Sequence, residues 1–308
     1  MVPISKTLSY GTQLIVMKYM SFEKRNVFFI KCPSIRKMEA RLPYRLRNVS
    51  VGCNMDSYCY IVLDYLHFYI FSDRNEDVSV LDCSRGANSC RGLRVNSSMI
   101  KVEEKLVQYY LNRPGTLVKY FDSTYNARCM LDCDPISVQK LRINDGRQAP
   151  EGNGTWIKTS APVETLETNR IFRDDTIKNA KTVVIRRNAS HDNNQTIQIY
   201  PEILTEWNCR TIKTQSSPRN EDIVNYCRII VTRSRPVGSV LQFPIYQKVD
   251  LFLDELRRLI GGRWTTLNGN LCITLSINDS TELNIHGISD HIEIRVDPKG
   301  TQYLVNAE

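Results

Sequence analysis

The apolar positions near the start of the chain recur with the spacing of short helices. The spacing of Leu14, Ile15 and Met17 predicts that they share one side of a first helix, which ends near Met20. Ser21 is a typical N-cap for a second helix, because its hydroxyl can accept a hydrogen bond from a backbone amide of the first turn. The Val-Phe-Phe-Ile run that follows supplies the buried side of this second helix.

Pro33 ends the second helix and begins a third. A proline cannot continue a helix but fits its first position, which predicts a helix from Ser34 to Ala40. The Leu42-Pro43 pair then ends it. Three such short helices bury too little apolar surface to be stable alone, so we expect them to pack on a partner or on the domain that follows.

Beyond Arg47 the pattern changes to short runs of Val, Ile, Tyr and Phe, which favour strands. A helix with one apolar face interrupts these strands from Ile100 to Leu111. The strands predicted in this part of the chain are Val49–Cys53, Tyr58–Leu63, His67–Phe71, Val78–Leu81, Leu117–Phe121 and Val138–Ile143.

The second part of the chain predicts one strong helix and a strand meander. The helix runs from Asp250 to Ile260, where apolar residues recur on one face and Gly261 follows the end. The predicted strands are Thr182–Ile185, Thr196–Tyr200, Cys227–Thr232, Leu271–Ile277, Leu283–Ile288, His291–Val296 and Thr301–Val305.

This order of elements predicts an α+β fold. We interpret the chain as a short helical segment followed by two modules, each a helix with an antiparallel sheet. The bounds of the three parts are 1–47, 48–145 and 156–308. The blocks that begin at Leu106 and Leu256 align, with Arg113 on Arg263, which indicates a weak internal repeat.

The positive charge of the chain is local. The formal net charge is +8. Between Lys24 and Arg47, eight lysines and arginines against the single acidic residue Glu39 leave +7, so the rest of the chain is close to neutral. Clustered positive charge of this kind attracts acidic partners or phosphates.

The ten cysteines are too few per residue for a small disulfide-rich secreted domain. The opening residues resemble no signal peptide, because the longest apolar run, Leu14 to Met17, ends at Lys18. We therefore predict a cytoplasmic or nuclear protein with mostly free thiols and no membrane-spanning segment. The Asn-x-Ser/Thr patterns are interpreted as incidental, because they carry meaning only in the secretory route.

The sequence contains no recognisable set of nucleophile, base and orienting group. Among the four histidines, His67 lies in a strand pattern and His191 in a polar loop, while His286 and His291 flank one turn. The cysteines are not spaced as zinc ligands, and no glycine-rich phosphate loop is present. We predict a non-enzymatic protein without metal or cofactor; a pocket around His286 and His291 would favour an enzyme instead.

The N-terminal segment contains a series of short motifs within about 45 residues. They are Leu8-Ser9-Tyr10, Glu23-Lys24-Arg25, Lys31-Cys32-Pro33-Ser34-Ile35-Arg36, Glu39, Leu42-Pro43, Leu46 and Val49-Ser50. In this series the segment resembles a family of nematode proteins, expanded in Caenorhabditis, whose domain has no assigned function. The resemblance therefore informs on relatives more than on chemistry.

A second series of positions in this segment has the spacing of a known motif. They are Leu8, Leu14, Ile15, Met20, Ile30 and Cys32. At this spacing the segment resembles an F-box, although Ser9 stands where that motif has proline, Pro33 stands where it prefers a basic residue, and the aromatic that usually follows is absent. The resemblance implies that these six residues are candidates for an apolar face that docks on a Skp-type ubiquitin-ligase adaptor, and that the body recruits an unknown protein substrate.

Two other interpretations of the segment stay open. In the first, it is a helical cap on the next domain, and its cations form a solvated face. In the second, a basic patch binds nucleic acid or acidic partners, and Tyr19 and Tyr44 stack on bases. No zinc-finger or RNP motif supports nucleic acid, which is therefore the weaker alternative. The patch residues are Arg36, Lys37, Arg41, Arg45 and Arg47. The oligomeric state stays open.

Overall fold

The computed structural model describes residues 9–54, 58–72, 78–83, 91–124, 134–144, 157–169, 171, 176, 179–186 and 196–301. The chain divides into two units, Met1–Leu141 with Trp156–Ala161 and Arg142–Thr155 with Pro162–Glu308. Helices and mixed sheets in both units confirm the α+β class with a short N-terminal helical unit. None of the helices in the described ranges has the length and apolar character needed to cross a membrane.

The first unit begins with the predicted short helices. They are α1 (Tyr10–Tyr19), α2 (Phe22–Lys31), a 3₁₀ turn (Pro33–Ile35) and α3 (Arg36–Glu39). The Oγ of Ser21 accepts a hydrogen bond from the Lys24 amide at 3.4 Å, which confirms the predicted cap. Ser9 caps α1 in the same way, through the amide of Thr12 at 3.3 Å.

The rest of the first unit is a mixed sheet with one long helix. Its elements are β1 (Arg45–Asn54), β2 (Tyr58–Leu63), β3 (Leu66–Ser72), β4 (Val78–Asp82), β5 (Arg91–Val95), α4 (Met99–Leu111), β6 (Leu117–Thr124) and β7 (Ser137–Asn144). The strand order β6-β1-β2-β3-β4-β5 is antiparallel except where β1 runs parallel to β6. Alternate residues of β2 are buried, as expected for a sheet that packs on one face.

In its described residues, the second unit contains a larger mixed sheet and the helices α5, α6 and α7. Its elements are β8 (Thr165–Thr168), β9 (Thr182–Ile185), β10 (Thr196–Ile197), α5 (Pro201–Glu206), β11 (Thr211–Thr214), β12 (Ser217–Pro218), α6 (Asn220–Arg233), β13 (Val240–Pro244), α7 (Val249–Ile260), β14 (Arg263–Leu267), β15 (Asn270–Ser276), β16 (Thr281–Ile288) and β17 (His291–Pro298). The sheet order is β8-β9-β11-β13-β17-β16-β15-β14, and the short β10 and β12 pair separately.

The first four strands of this sheet, β8, β9, β11 and β13, are parallel, and the last four form an antiparallel meander. These four strands occupy neighbouring positions in the sheet in the same order as in the sequence. Right-handed crossovers then place all connecting helices on the same face. Phe252 of α7 packs edge-on against Phe243 of β13 at 6.0 Å between ring centroids, which places α7 on the apolar face. On the opposite face, the side chains of these strands are half exposed or exposed, and no helix from the described parts of these connections covers them.

Several predictions of individual elements were wrong. The stretch Cys227–Thr232 is helical and lies in α6, because Ile223, Cys227 and Ile230 face the interior at helical spacing. The meander begins earlier than predicted, at β14, and the sheets are mixed rather than wholly antiparallel. Beyond Thr301 the last predicted strand lies outside the described residues, as do residues 145–155 of the predicted break.

The two blocks of the predicted repeat have different surroundings. Arg113 is buried, whereas Arg263 is half exposed and pairs with Glu282. The strand after α4 runs parallel to β1, and the strand after α7 runs antiparallel to β15. The aligned residues therefore occupy non-equivalent positions in the two sheets.

We expect Gly287→Ala to lower the free energy of unfolding by about 1–3 kcal/mol, as overpacking of a core does. A Cβ at this position of β16 would lie 2.2 Å from Cγ1 of Val249 on α7. Urea unfolding followed by circular dichroism measures the loss. The control is Gly11→Ala, where an added Cβ meets nothing within 4 Å; equal stability of the two variants would contradict this packing.

Candidate docking surface

The N-terminal helices are held to the first unit by a buried ion cluster. The Glu39 carboxylate is fully buried and lies between two arginines, Arg25 from α2 and Arg113 from the turn after α4. Its Oε1 accepts from Nη2 of Arg25 at 3.1 Å, and both of its oxygens accept from Nη1 of Arg113 at 3.0 Å. We call these three residues the Glu39 network.

The network holds one more positive charge than negative, and backbone carbonyls offset the excess. Arg25 donates to the carbonyls of Leu42 at 3.1 Å and Pro43 at 2.6 Å. Arg113 donates to the carbonyl of Glu39 at 2.9 Å. Burial lowers the pKa of Arg25, and the Glu39 carboxylate opposes that effect. Because a guanidinium stays charged in proteins, every one of these contacts is charge-assisted.

The aromatic ring of Tyr44 packs against both arginines of the cluster. Its ring centroid lies 4.7 Å from the guanidinium carbon of Arg25 and 4.0 Å from that of Arg113. Phe22 of α2 packs edge-on against the same ring at 4.7 Å. The Tyr44 amide donates to Oγ1 of Thr116 at 3.2 Å, so the chain enters the sheet directly from this cluster. The helical segment is therefore part of the first unit and not a free appendage.

The apolar residues of the helices divide into an inner and an outer set. Met17, Met38 and Leu42 form a buried cluster, against which Leu14 and Met20 pack. The outer side chains are more than two-fifths exposed. They are Tyr10, Ile15, Val16, Tyr19, Val27, Phe28 and Ile30. The prediction that the Val-Phe-Phe-Ile run forms the buried side of α2 is therefore wrong, because Phe22 and Arg25 form that side instead. Exposed apolar side chains on two successive helices are candidates for an interaction surface. We call this outer set the docking face.

The structure separates the six adaptor-binding candidates. Ile15 and Ile30 lie on the docking face, 60% and 59% exposed. Leu14 and Met20 pack inside the helical segment, and Cys32 is a half-buried free thiol. The remaining candidate, Leu8, lies outside the described residues. Only part of the F-box-like set is thus available to a partner.

All five residues of the predicted basic patch are exposed. Arg36 also stabilises the end of α2, because it donates to the carbonyls of Phe29 at 3.0 Å and Ile30 at 3.2 Å. These carbonyls lie in the last turn of α2, where they have no partner within the helix. Of the eight cations between Lys24 and Arg47, only Arg25 is buried, so seven positive side chains reach the surface.

Among the described cysteines, free thiols outnumber bonded ones, as predicted, but two cysteines form disulfides. Cys59 and Cys83 of the first unit are disulfide-bonded, whereas Cys32, Cys209, Cys227 and Cys272 are free. The pattern of cysteines in the sequence did not reveal these bonds, because their density is low along the chain. Disulfides persist mainly in oxidising compartments, which speaks against a cytoplasmic or nuclear location.

The strand register of the second unit aligns a thiol, an imidazole and a carboxylate. Cys272, His286 and Glu293 lie opposite one another on β15, β16 and β17. Burial raises the pKa of Cys272, whose sulfur lies 3.6 Å from the Ile273 carbonyl, so it stays a thiol. An activated nucleophile needs the opposite shift. His291 lies opposite Ile288 rather than His286. No group of three or more metal-ligating side chains occurs among the described residues.

The sequence did not reveal the Glu39 network. The only sign of it in the sequence is that Glu39 is the single acidic residue among eight lysines and arginines. A lone carboxylate in such a segment is expected to pair with one of these cations. Arg113 lies 74 positions away, and nothing local links it to Glu39. The predicted repeat aligned Arg113 with Arg263 in equivalent turns. This interpretation gave Arg113 no role as a partner of Glu39.

We expect Glu39→Gln to lower the free energy of unfolding by about 3–5 kcal/mol, because it leaves two buried arginines without their counter-ion. Urea unfolding of the full chain measures the change. The matched control is Glu23→Gln on α2, where the side chain is exposed and a change below about 0.5 kcal/mol is expected. A Glu39→Gln variant as stable as the control would contradict a central role for the carboxylate.

Comparisons of this chain with protein-family models, with curated proteins and with solved structures gave no match in any of the three. The resemblances to a nematode family and to an F-box therefore rest on the N-terminal residues alone. The partners they imply are carried forward as proposals, supported by the geometry of the docking face.

Proposed function

We propose that this protein is a non-enzymatic interaction protein that docks a partner through the docking face of α1 and α2. The observation that carries the proposal is the exposure of seven large apolar side chains on helices that are otherwise folded against the first unit. Ile15 and Tyr19 are four residues apart on α1, and Val27 and Ile30 are three apart on α2. Each pair therefore shares one side of its helix.

The partner we propose is a Skp-type ubiquitin-ligase adaptor, which would make the protein a divergent F-box-type recruiting subunit of the nematode family it resembles. The exposure of Ile15 and Ile30 supports this assignment. The inward position of Leu14 and Met20 gives them a different role, which is to hold the helices together. The protein substrate would be recruited by the rest of the chain.

The rigidity of the docking face also supports the proposal. A surface that is ordered before binding avoids the entropic cost of ordering it in the complex. Arg25 of α2 is fixed by four hydrogen bonds, and Arg36 closes the end of the same helix. The side chains of the docking face are thus presented by helices whose positions are set by buried contacts.

A second candidate function is binding of an acidic partner or of nucleic acid by the basic patch. The observation in its favour is that seven cations of this segment stay at the surface. Electrostatic binding of this type weakens steeply as salt rises, and it would be lost on reversal of Arg36, Lys37 and Arg41. Adaptor docking through apolar side chains would change much less with salt.

We expect the full chain to retain a purified Skp-type adaptor in a pull-down, and Ile15→Asp or Ile30→Asp to weaken that binding at least about tenfold, because a charge would enter an apolar contact. Both side chains are exposed, so the variants should fold. The matched control is Leu251→Asp, an equally exposed leucine on a helix of the second unit. No binding by the native chain, or equal binding by all variants, would remove the adaptor from the proposal.

A cytoplasmic or nuclear location belongs to the same proposal, and the disulfides at Cys59 and Cys83 are the observation against it. Cytosolic glutathione and thioredoxin keep most thiols reduced. An adaptor-bound protein should therefore carry both sulfurs in reduced form in cells. Rapid alkylation of cells followed by mass spectrometry checks this, with Cys32 as the free-thiol control. Recovery of both residues as disulfides would instead favour a partner outside the cytosol.

A further inference from the structure

The parallel strands of the second unit have an uncovered face that connecting helices do not reach. Parallel sheets are usually covered on both faces, and their strands are then apolar throughout. Here alternate residues of β8 and β9 are buried and the others are half exposed. The uncovered face lines a cleft of about 610 Å³ on β8, β9, β11, β13 and β17.

Two transverse rows of side chains cross this cleft. In the first row, Thr165, Thr182 and Thr211 lie in register on three adjacent strands. In the second row, Lys213 lies opposite Gln242, which lies opposite Glu293. The cleft therefore offers a ladder of hydroxyls beside an ammonium, an amide and a carboxylate. These groups match the donors and acceptors of a peptide.

The charge of the cleft favours an acidic ligand. Arg210, Lys213 and Arg295 line it against Glu293 alone. Arg295 is engaged, since its Nε lies 2.7 Å from Oδ1 of Asp297. Arg210 and Lys213 are exposed, and neither has a carboxylate within ion-pair distance in the described part of the chain. Two cations on one polar face are thus free to pair with a ligand.

The second row continues into the interior with an unsatisfied group. His286 lies opposite Glu293 and is 3% exposed. Its Nδ1 has no hydrogen-bond partner among the described residues. Burial lowers the pKa of His286, so its ring is neutral and can accept or donate one hydrogen bond at each nitrogen. His286 does not itself line the cleft, so the binding groups of the cleft are the side chains of the two rows.

We infer that this cleft binds an extended acidic segment of a partner protein. Five strands at about 4.8 Å spacing span about 19 Å, which is the length of about six residues in extended conformation. Acidic side chains would pair with Arg210 and Lys213, and the threonine ladder would bond to the peptide backbone. A nucleic acid fits less well, because none of the described residues that line the cleft is aromatic and could stack on bases.

The inference does not depend on the proposed function, because the cleft lies in the second unit and the docking face lies in the first. Adaptor binding could fail while the cleft still binds its ligand. The variants at Ile15 and Ile30 therefore leave the following experiment unchanged. Equally, loss of binding at the cleft carries no consequence for the docking face.

The test uses the full chain and a fluorescein-labelled peptide of alternating Glu and Ser, eight residues long, followed by fluorescence anisotropy at physiological ionic strength. We expect saturable binding, no binding of the Gln-Ser counterpart, and at least about tenfold weaker binding by Arg210→Glu/Lys213→Glu, since the double reversal replaces two attractions with two repulsions. Thr182→Val, which keeps the charge, should weaken binding about threefold, as loss of one hydrogen bond does.

Two charge-reversed controls separate the cleft from other cations. Lys299→Glu reverses an exposed charge elsewhere in the second unit, and Lys37→Glu/Arg41→Glu reverses the basic patch. Both should bind the peptide as the native chain does. No binding by the native chain, or loss with the basic-patch variant but not with the cleft variant, would overturn the inference. An oligothymidine that displaces the peptide from the native chain but not from the cleft variant would replace it with a nucleic-acid site.

Discussion

The buried carboxylate of Glu39 is the contact on which the first unit depends. It brings together a helix near the start of the chain and the turn after α4, 74 positions later. A buried charge cluster adds little net stability when complete, but it is costly to leave incomplete, because the remaining charges stay buried. The cluster therefore acts more as a lock on one arrangement than as a source of stability, and it fixes where α2 and α3 lie.

The Glu39 network also determines which residues of α2 are buried and which are exposed. Once Arg25 faces Glu39, the helix that carries it has one side turned to the sheet, and Phe22 follows Arg25 inward. The apolar residues on its other side have no place inside and remain at the surface. The remaining cations of the segment stay exposed around them. The resulting surface combines exposed apolar side chains with exposed positive charge. Both features are typical of a surface that binds a partner.

The local elements of this fold could be predicted from the sequence, and their long-range pairing could not. Ser21 correctly predicted the start of α2, and an apolar face followed by Gly261 correctly predicted α7. Both predictions succeeded because caps and periodicity are local properties of the sequence. The β-branched run after Cys227 favoured a strand until tertiary packing made it helical. The cleft of the second unit depends on the order β8-β9-β11-β13, which no local pattern encodes. Nothing in the sequence distinguishes the threonines, the arginines and the one lysine of that cleft from others in the chain, because only the pairing of the strands brings them together.

Hydrogen exchange of the full-length Glu39→Gln variant, compared with the native chain, tests the locking role of the carboxylate most directly. If the network holds the helices to the first unit, amides of α2 and of the last turn of α4 should lose protection together, while strands of the second unit keep theirs. Unchanged protection of α2, or its loss without any change near Arg113, would contradict that role.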